Sequence, residues 1–187
     1  MLFSKMIPVE DMIKLEAWID ENINNSDIAS CESDSKLSKK LQLKVEYVNP
    51  EKLSKSTEAE LAPIDDAAYM GIIRINNRNQ HSSFSYMHEI IHYLHDVGRG
   101  NRVTQVFERK EKGKTKNDHE QHINYLTAGN IMKYRDIKKA LQLYDKSSPK
   151  MDEIKFINDL CKKYDQERVA VIRRIREVRK ISKAKNS

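Results

Sequence analysis

His88-Glu89-Ile90-Ile91-His92 sets two imidazoles four residues apart with a carboxylate directly after the first. On an α-helix, positions i and i+4 differ by about 40° of rotation and about 6 Å of rise. Both rings can therefore reach one ion, while Glu89, about 100° further round, points beside it. Zinc takes imidazole nitrogen at about 2.0–2.1 Å in a tetrahedral shell, and a catalytic site keeps one position for water, so one further protein ligand is required. The chemistry such a site performs is hydrolysis. The metal acidifies a water and polarises a carbonyl, and Glu89 takes the water's proton and returns it to the leaving amine. His88 and His92 must be neutral to bind, so affinity falls steeply below about pH 6. The uncharged pair Ile90-Ile91 lets the helix lie buried, as a water-excluding site demands.

The third ligand does not follow within the same helix. A metzincin pattern needs glycine at position 95 and histidine at position 98, and the sequence has His95 and Gly98. The later segment richest in metal-capable side chains is Asp118-His119-Glu120-Gln121-His122-Ile123-Asn124. Glu120 is the expected ligand, and Asn124, one turn on, the group that orients it. His119 and His122 stand as alternative ligands or as donors to the oxyanion, a role open also to Tyr69 and Tyr86. His95 reads as a structural histidine, and His81 has no role.

These residues need elements to hold them. Pro8 to Ile23 spaces its apolar residues as an amphipathic helix, with Glu10 and Asp11 in the first turn. Leu41 to Val48 alternates as a half-buried strand ended by Asn49-Pro50, and a loop or short helix through Pro63 leads to a second strand, Ala67 to Ile75. The stretch Tyr69 to Ile75 is positioned to pair with an extended substrate. Ser85 is the expected N-cap of the motif helix, which Gly98 and Gly100 end. Arg99 to Asn117 reads as an insertion or a hairpin. A second helix starts at Asp118, and Met151 to Tyr164 and Gln166 to about Ile181 form two more, joined at Asp165 as N-cap.

With 187 residues, 39% hydrophobic and 33% charged, the chain supports one domain and a small appendage. The first residues lack the apolar run and cleavage site of a signal peptide, and no run approaches a membrane span, so a cytoplasmic protein is expected. Cys31 and Cys161 fit free thiols of a reducing compartment. The net charge of +6 is concentrated at the end: residues 162–187 hold ten Lys or Arg against three acids, and the other 161 residues sum to −1. Arg173, Arg174, Arg176 and Arg179 surround the last helix without selecting a side, which favours a solvated helix or an acidic protein partner over nucleic acid. Val171, Ile172, Ile175 and Val178 form its apolar stripe.

Taken together, these motifs resemble the ImmA/IrrE family of zinc peptidases, which are intracellular gluzincins. The resemblance covers roughly residues 40 to 135. It runs from Ile75-Asn76-Asn77 through Phe84-Ser85-Tyr86-Met87-His88 and the HExxH to the helix Glu120 to Asn124. Ile91, Ile123, Leu126-Thr127 and Lys133 depart from the family's usual residues. The final two helices, Asn158 to Ile181, are similar to the segment that follows its peptidase domain. The expectation is an α+β, zincin-like domain over residues 1–145, with a small sheet, the HExxH helix and a second ligand helix, followed by a basic helical segment over 146–187. The resemblance implies a Zn2+-dependent endopeptidase that cleaves an intracellular protein, a helix-turn-helix repressor of a mobile element or stress response. The alternative is a non-catalytic anti-repressor, or a DNA-contacting regulator, acting through the basic C-terminal helices.

Overall fold

The structure is a computed structural model that describes residues 7–31, 33–79, 82–110, 118–146 and 152–186. It is α+β: a small mixed sheet, with helices before, on and after it, and a helical C-terminal region. Two compact units divide the described chain, Asp20–Thr127 and the combination of Met1–Ile19 with Ala128–Ser187.

The first unit holds the sheet, β1 (Leu43–Val48), β2 (Thr57–Ala62), β3 (Gly71–Asn76) and β4 (Phe107–Lys110), in the order β1-β3-β2-β4. β1 runs parallel to β3, and β2 runs antiparallel to both β3 and β4. The register opposes Ala59 to Ile75 and Arg109, and Leu61 to Ile73 and Phe107. Because side chains alternate along a strand, these six residues share one face. Ala59, Leu61, Ile73 and Ile75 on it are fully buried. The opposite face is ionic, with Glu60 paired to Arg74 at 2.7 Å and Lys44 to Glu46 at 2.8 Å. Gly71 is required by a close approach: a Cβ there would lie 2.4 Å from Val103 Cγ2.

β2 falls where the sequence suggested a loop or short helix, and it corrects that reading. Expected substrate pairing along Tyr69 to Ile75 is corrected too. β3 is hydrogen-bonded on both sides, to β1 and β2, so its backbone has no open edge. Among the described residues the outer strands are β1 and β4.

Two short helices flank the sheet in this unit. α2 (Asp34–Lys40) packs on β1 and is capped by Ser33, whose side chain accepts from Lys36 N. α3 (Ser82–His92) lies on β2, β3 and β4, and its chain continues as a wider π turn over Tyr93–Val97. Gly98, at φ +84, stops it. Ser85 is not the N-cap: it sits inside α3, fully buried, and its Oγ accepts from Asn79 Nδ2 at 2.7 Å.

The second unit comprises α1 (Val9–Ile19), α5 (Tyr134–Lys146), α6 (Glu153–Tyr164) and α7 (Arg168–Ala184). Its core contains Ile137, Leu141, Tyr144, Phe156, Leu160, Val171, Ile175 and Val178. Asp165 takes the left-handed conformation, φ 50 and ψ 49, as the C-cap of α6 instead of an N-cap; Asp152 caps the start of α6 and Glu167 that of α7. α4 (Asp118–Ile131) begins in the first unit and ends in the second. Among the described residues no helix is long and apolar enough to cross a membrane. Cys31 and Cys161 are free thiols.

Arg174 departs from the expected solvated tail. Its side chain is 0% exposed, with Nε donating to the Met132 carbonyl at 2.9 Å. Its guanidinium lies 2.7 Å from buried Glu16 and 3.7 Å from buried Glu177. Removing one partner of a buried pair leaves an uncompensated charge, which costs about 3–5 kcal/mol. Arg174→Met is expected to lower unfolding free energy in urea by that amount, with Glu16→Gln added on top recovering part of it.

Candidate metal centre

α3 presents His88, Glu89 and His92 toward the start of α4, all three side chains essentially inaccessible to solvent. Their helix spacing is local and follows from sequence; what the tertiary structure adds is Glu120, from the first turn of α4, with a side chain 21% exposed. His88 Nε2 and His92 Nε2 lie 3.2 Å apart. Glu120 Oε2 is 3.4 Å from His88 Nε2 and Glu120 Oε1 is 3.2 Å from His92 Nε2. The edges of a tetrahedron with bonds of about 2.0–2.1 Å are about 3.3–3.4 Å. Two nitrogens and a carboxylate at these separations are therefore a donor set of the right size and chemistry for a small divalent cation.

The polar atoms around this triangle point the same way. Among the described residues, His88 Nδ1 and both carboxylate oxygens of Glu89 are buried with no hydrogen-bond partner. A buried carboxylate without partners costs a protein free energy, so its retention is a mark of function. Burial pushes the Glu89 carboxyl up to about 8, where it can exchange a proton near neutrality. Burial also lowers His88, to about 4, against the opposing pull of Glu120. At His92 burial acts in the same downward direction, but hydrogen bonds to Asp96 and Glu120 outweigh it and raise the ring to about 9. The two carboxylates thus favour the protonated ring of His92, in the position where a divalent cation would replace the proton.

Asp96 was not singled out from the sequence. Its Oδ2 accepts from His92 Nδ1 at 2.6 Å, which fixes the ring so that Nε2 faces Glu120. Burial alone would raise the Asp96 carboxyl, but hydrogen bonds from His92, His95 and His119 drive it far below the usual carboxylate range. The signal was available: Asp96 lies four residues after His92 on the same face. Phe107 and Arg109 of β4 were missed as well. The Phe107 ring sits 5.1 Å from that of His92. Arg109 stacks over Phe84 at 4.5 Å and its Nε reaches Glu58 at 2.8 Å.

The remaining sequence candidates sort by position. His119 Nε2 is 3.0 Å from Asp96 Oδ2, which makes His92, Asp96 and His119 a second group of three potential donors. His95 Nδ1 is bonded to the other Asp96 oxygen at 2.7 Å, as suits a structural histidine. His122 belongs to neither group. Asn124 Nδ2 donates to the main-chain carbonyl of Glu120 at 2.8 Å and so ties down that turn of α4. The Tyr86 hydroxyl is committed to α2, bonded to Ser38 Oγ at 2.6 Å and to the Asp34 carbonyl at 2.8 Å, and is not free to serve an oxyanion.

A family model described as the IrrE N-terminal-like domain, Peptidase_M78, matches residues 46–168. That span contains the sheet strands β2 to β4, α3 and the whole of α4. No curated protein and no solved structure matches the chain.

Proposed function

The chain belongs to the Peptidase_M78 family of IrrE N-terminal-like domains, and on that premise we propose that it is a zinc-dependent endopeptidase of the gluzincin type. The observation that carries the reading is the closure of His88, His92 and Glu120 to mutual distances of 3.2–3.4 Å beside a buried carboxyl, Glu89, that has no partner among the described residues. His88 Nε2, His92 Nε2 and a Glu120 oxygen would hold the ion, with Asp96 orienting His92. When bound, zinc would supply a Lewis acid able to polarise a peptide carbonyl and to acidify a water.

The chain's own residues do the proton work. Glu89 accepts the proton of the attacking water and delivers it to the nitrogen of the leaving amine, so the carboxyl ends each cycle as it began. Its buried surroundings suit both halves of that exchange, since they keep the protonated and ionised forms close in free energy near neutrality. Peptide substrate lies along the outer edge of β4, which among the described residues pairs with β2 alone. Phe107 and Arg109 project from that strand onto the face that carries α3.

The substrate we propose is an intracellular helix-turn-helix repressor, met in the cytoplasm, where free Cys31 and Cys161 are at home. Purified protein incubated with the repressor encoded nearest its own gene is expected to yield discrete fragments. A zinc chelator should stop the cleavage, and one equivalent of added zinc should restore it. A repressor that loses DNA binding while its chain stays intact would establish the non-catalytic alternative instead.

A further inference from the structure

A groove runs between α6 and α7 in the helical unit. Ile157 and Ile175 form its buried floor, Ile172 is half-buried, and Ile154 stands at the lip with 54% of its surface exposed. Along the α7 side the rim is Arg168, Arg176 and Arg179, all exposed. None of the three makes an ion pair among the described residues. The contrast with the same helix's other arginines is informative. Arg173 pairs with Glu177 at 3.0 Å and Arg174 with Glu16 at 2.7 Å. Of the arginines on this helix, those that border the apolar floor are left without an acidic partner among the described residues, and Arg176 and Arg179 stand three apart, where like charges destabilise a helix. One acid, Glu153, lines the groove against these three cations.

We propose that this groove docks an acidic amphipathic segment of a partner protein, with the segment's apolar side chains on the isoleucine floor and its carboxylates against the arginine rim. Helix-in-groove recognition uses apolar anchors at i, i+3, i+4 and i+7, and the groove lining recurs along α7 at that same period, from Ile172 and Ile175 on the floor to Arg179 on the rim. Guanidiniums at a rim favour carboxylates through paired hydrogen bonds and supply much of the energy at interfaces. Nucleic acid fits less well. Its backbone has nothing to place on isoleucines, and single-strand binding uses open aromatic faces. Here Tyr144 and Phe156 are buried and stacked on each other at 4.6 Å. A second copy of the chain would bring the same arginines against themselves. The proposal stands apart from the peptidase reading and does not need it.

The probe is a fluorescein-labelled amphipathic peptide of about 18 residues, with leucines at helical spacing and flanking glutamates. It is titrated by anisotropy with the full chain at about 0.15 M salt. Two further peptides carry lysine for glutamate or serine for leucine, and a duplex DNA serves as the competing class. The acidic peptide is expected to bind in the roughly 10–100 μM range. Arg176→Glu with Arg179→Glu should weaken it at least about tenfold and Ile154→Ser about fivefold. Lys162→Glu with Lys163→Glu, the same charge change away from the groove, should cost less than about twofold. Circular dichroism verifies that each variant is folded, and Ile154→Ser leaves the charge untouched. The proposal is overturned if the acidic peptide does not bind, if the lysine reversals weaken it as much as the arginine reversals, or if the serine peptide binds as well as the leucine one. It is equally overturned if duplex DNA binds more tightly through the same arginines, or if the chain dimerises and the arginine reversals dissociate it.

Discussion

Glu89→Gln is expected to leave the metal content of the protein unchanged and to slow peptide-bond cleavage by about 10²–10⁴-fold. The amide has the shape of the carboxyl but neither takes nor gives the proton. Both Glu89 oxygens are buried, without partners among the described residues, so no salt bridge or cap is lost with the charge. The same substitution has a stability signature that a structural role for Glu89 would not give. Burial holds the folded carboxyl at about 8, above the ordinary 4.5. Between those values the folded chain keeps a proton that the unfolded chain has released, so stability falls as pH rises through the window. The contribution is fully present below 4.5 and lost by about 8. Glutamine does not titrate. The metal-free Glu89→Gln protein should therefore be at least as stable as its parent at pH 7, and its stability should vary less from pH 5 to 8, as chemical denaturation would show. Cleavage at the parental rate would remove Glu89 from the proton-transfer step. A destabilised variant would show instead that the carboxyl was holding the helix together.

How much of this could be read before any coordinates depends on how far apart in sequence the cooperating residues lie. His88 and His92 share one turn of helix, so their spacing alone predicted that they meet. Glu120 is 28 positions beyond His92, and its arrival at 3.2 Å depends on where α4 begins and how the sheet carries α3. The choice of Glu120 rested on residue chemistry, and the alternatives His119 and His122 differ from it by a fraction of a turn. β2, Thr-Glu-Ala-Glu-Leu-Ala, alternates with the period of a strand, but alanine and glutamate are poor strand formers and the segment reads as a loop or short helix. It is a strand because β3 and β4 both pair with it, a tertiary fact that overrides local preference. Arg109 had no local signal at all. It reaches the face of α3 through β4, whose partner lies some fifty positions upstream. Asp165 shows the limit of residue type as a guide: aspartate serves as an N-cap and also tolerates the left-handed conformation, and here it ends a helix instead of starting one. In Arg174 a single guanidinium of an apparently solvated run turns inward, because Glu16, 158 residues away in sequence, waits for it.

His92→Ala is expected to strip the protein of its metal. Apparent zinc affinities of about 10–16 kcal/mol spread over four ligands correspond to roughly 2.5–4 kcal/mol per ligand, so losing one weakens binding about 10²–10³-fold. Protein purified without added zinc should carry one equivalent in the parent and little in the variant. The choice of His92 is deliberate, since it belongs to both groups of potential donors, His88-His92-Glu120 and His92-Asp96-His119. Its loss disables either one, and the neighbours then tell them apart. His88→Ala should match His92→Ala, whereas His119→Ala, which touches only the second group, should keep nearly full occupancy. A reversed pattern, with metal lost from His119→Ala and retained by His88→Ala, would move the ion to Asp96 and leave Glu89 without a role in hydrolysis. The parent should show one further mark. His92 is held protonated up to about pH 9, by Asp96 on one side and Glu120 on the other. An incoming ion must displace that proton, so affinity should rise about tenfold per pH unit toward 9 and level off above it. Competition titrations from pH 6 to 10 measure that slope, and a flat profile would mean that the ion binds without contesting the His92 proton.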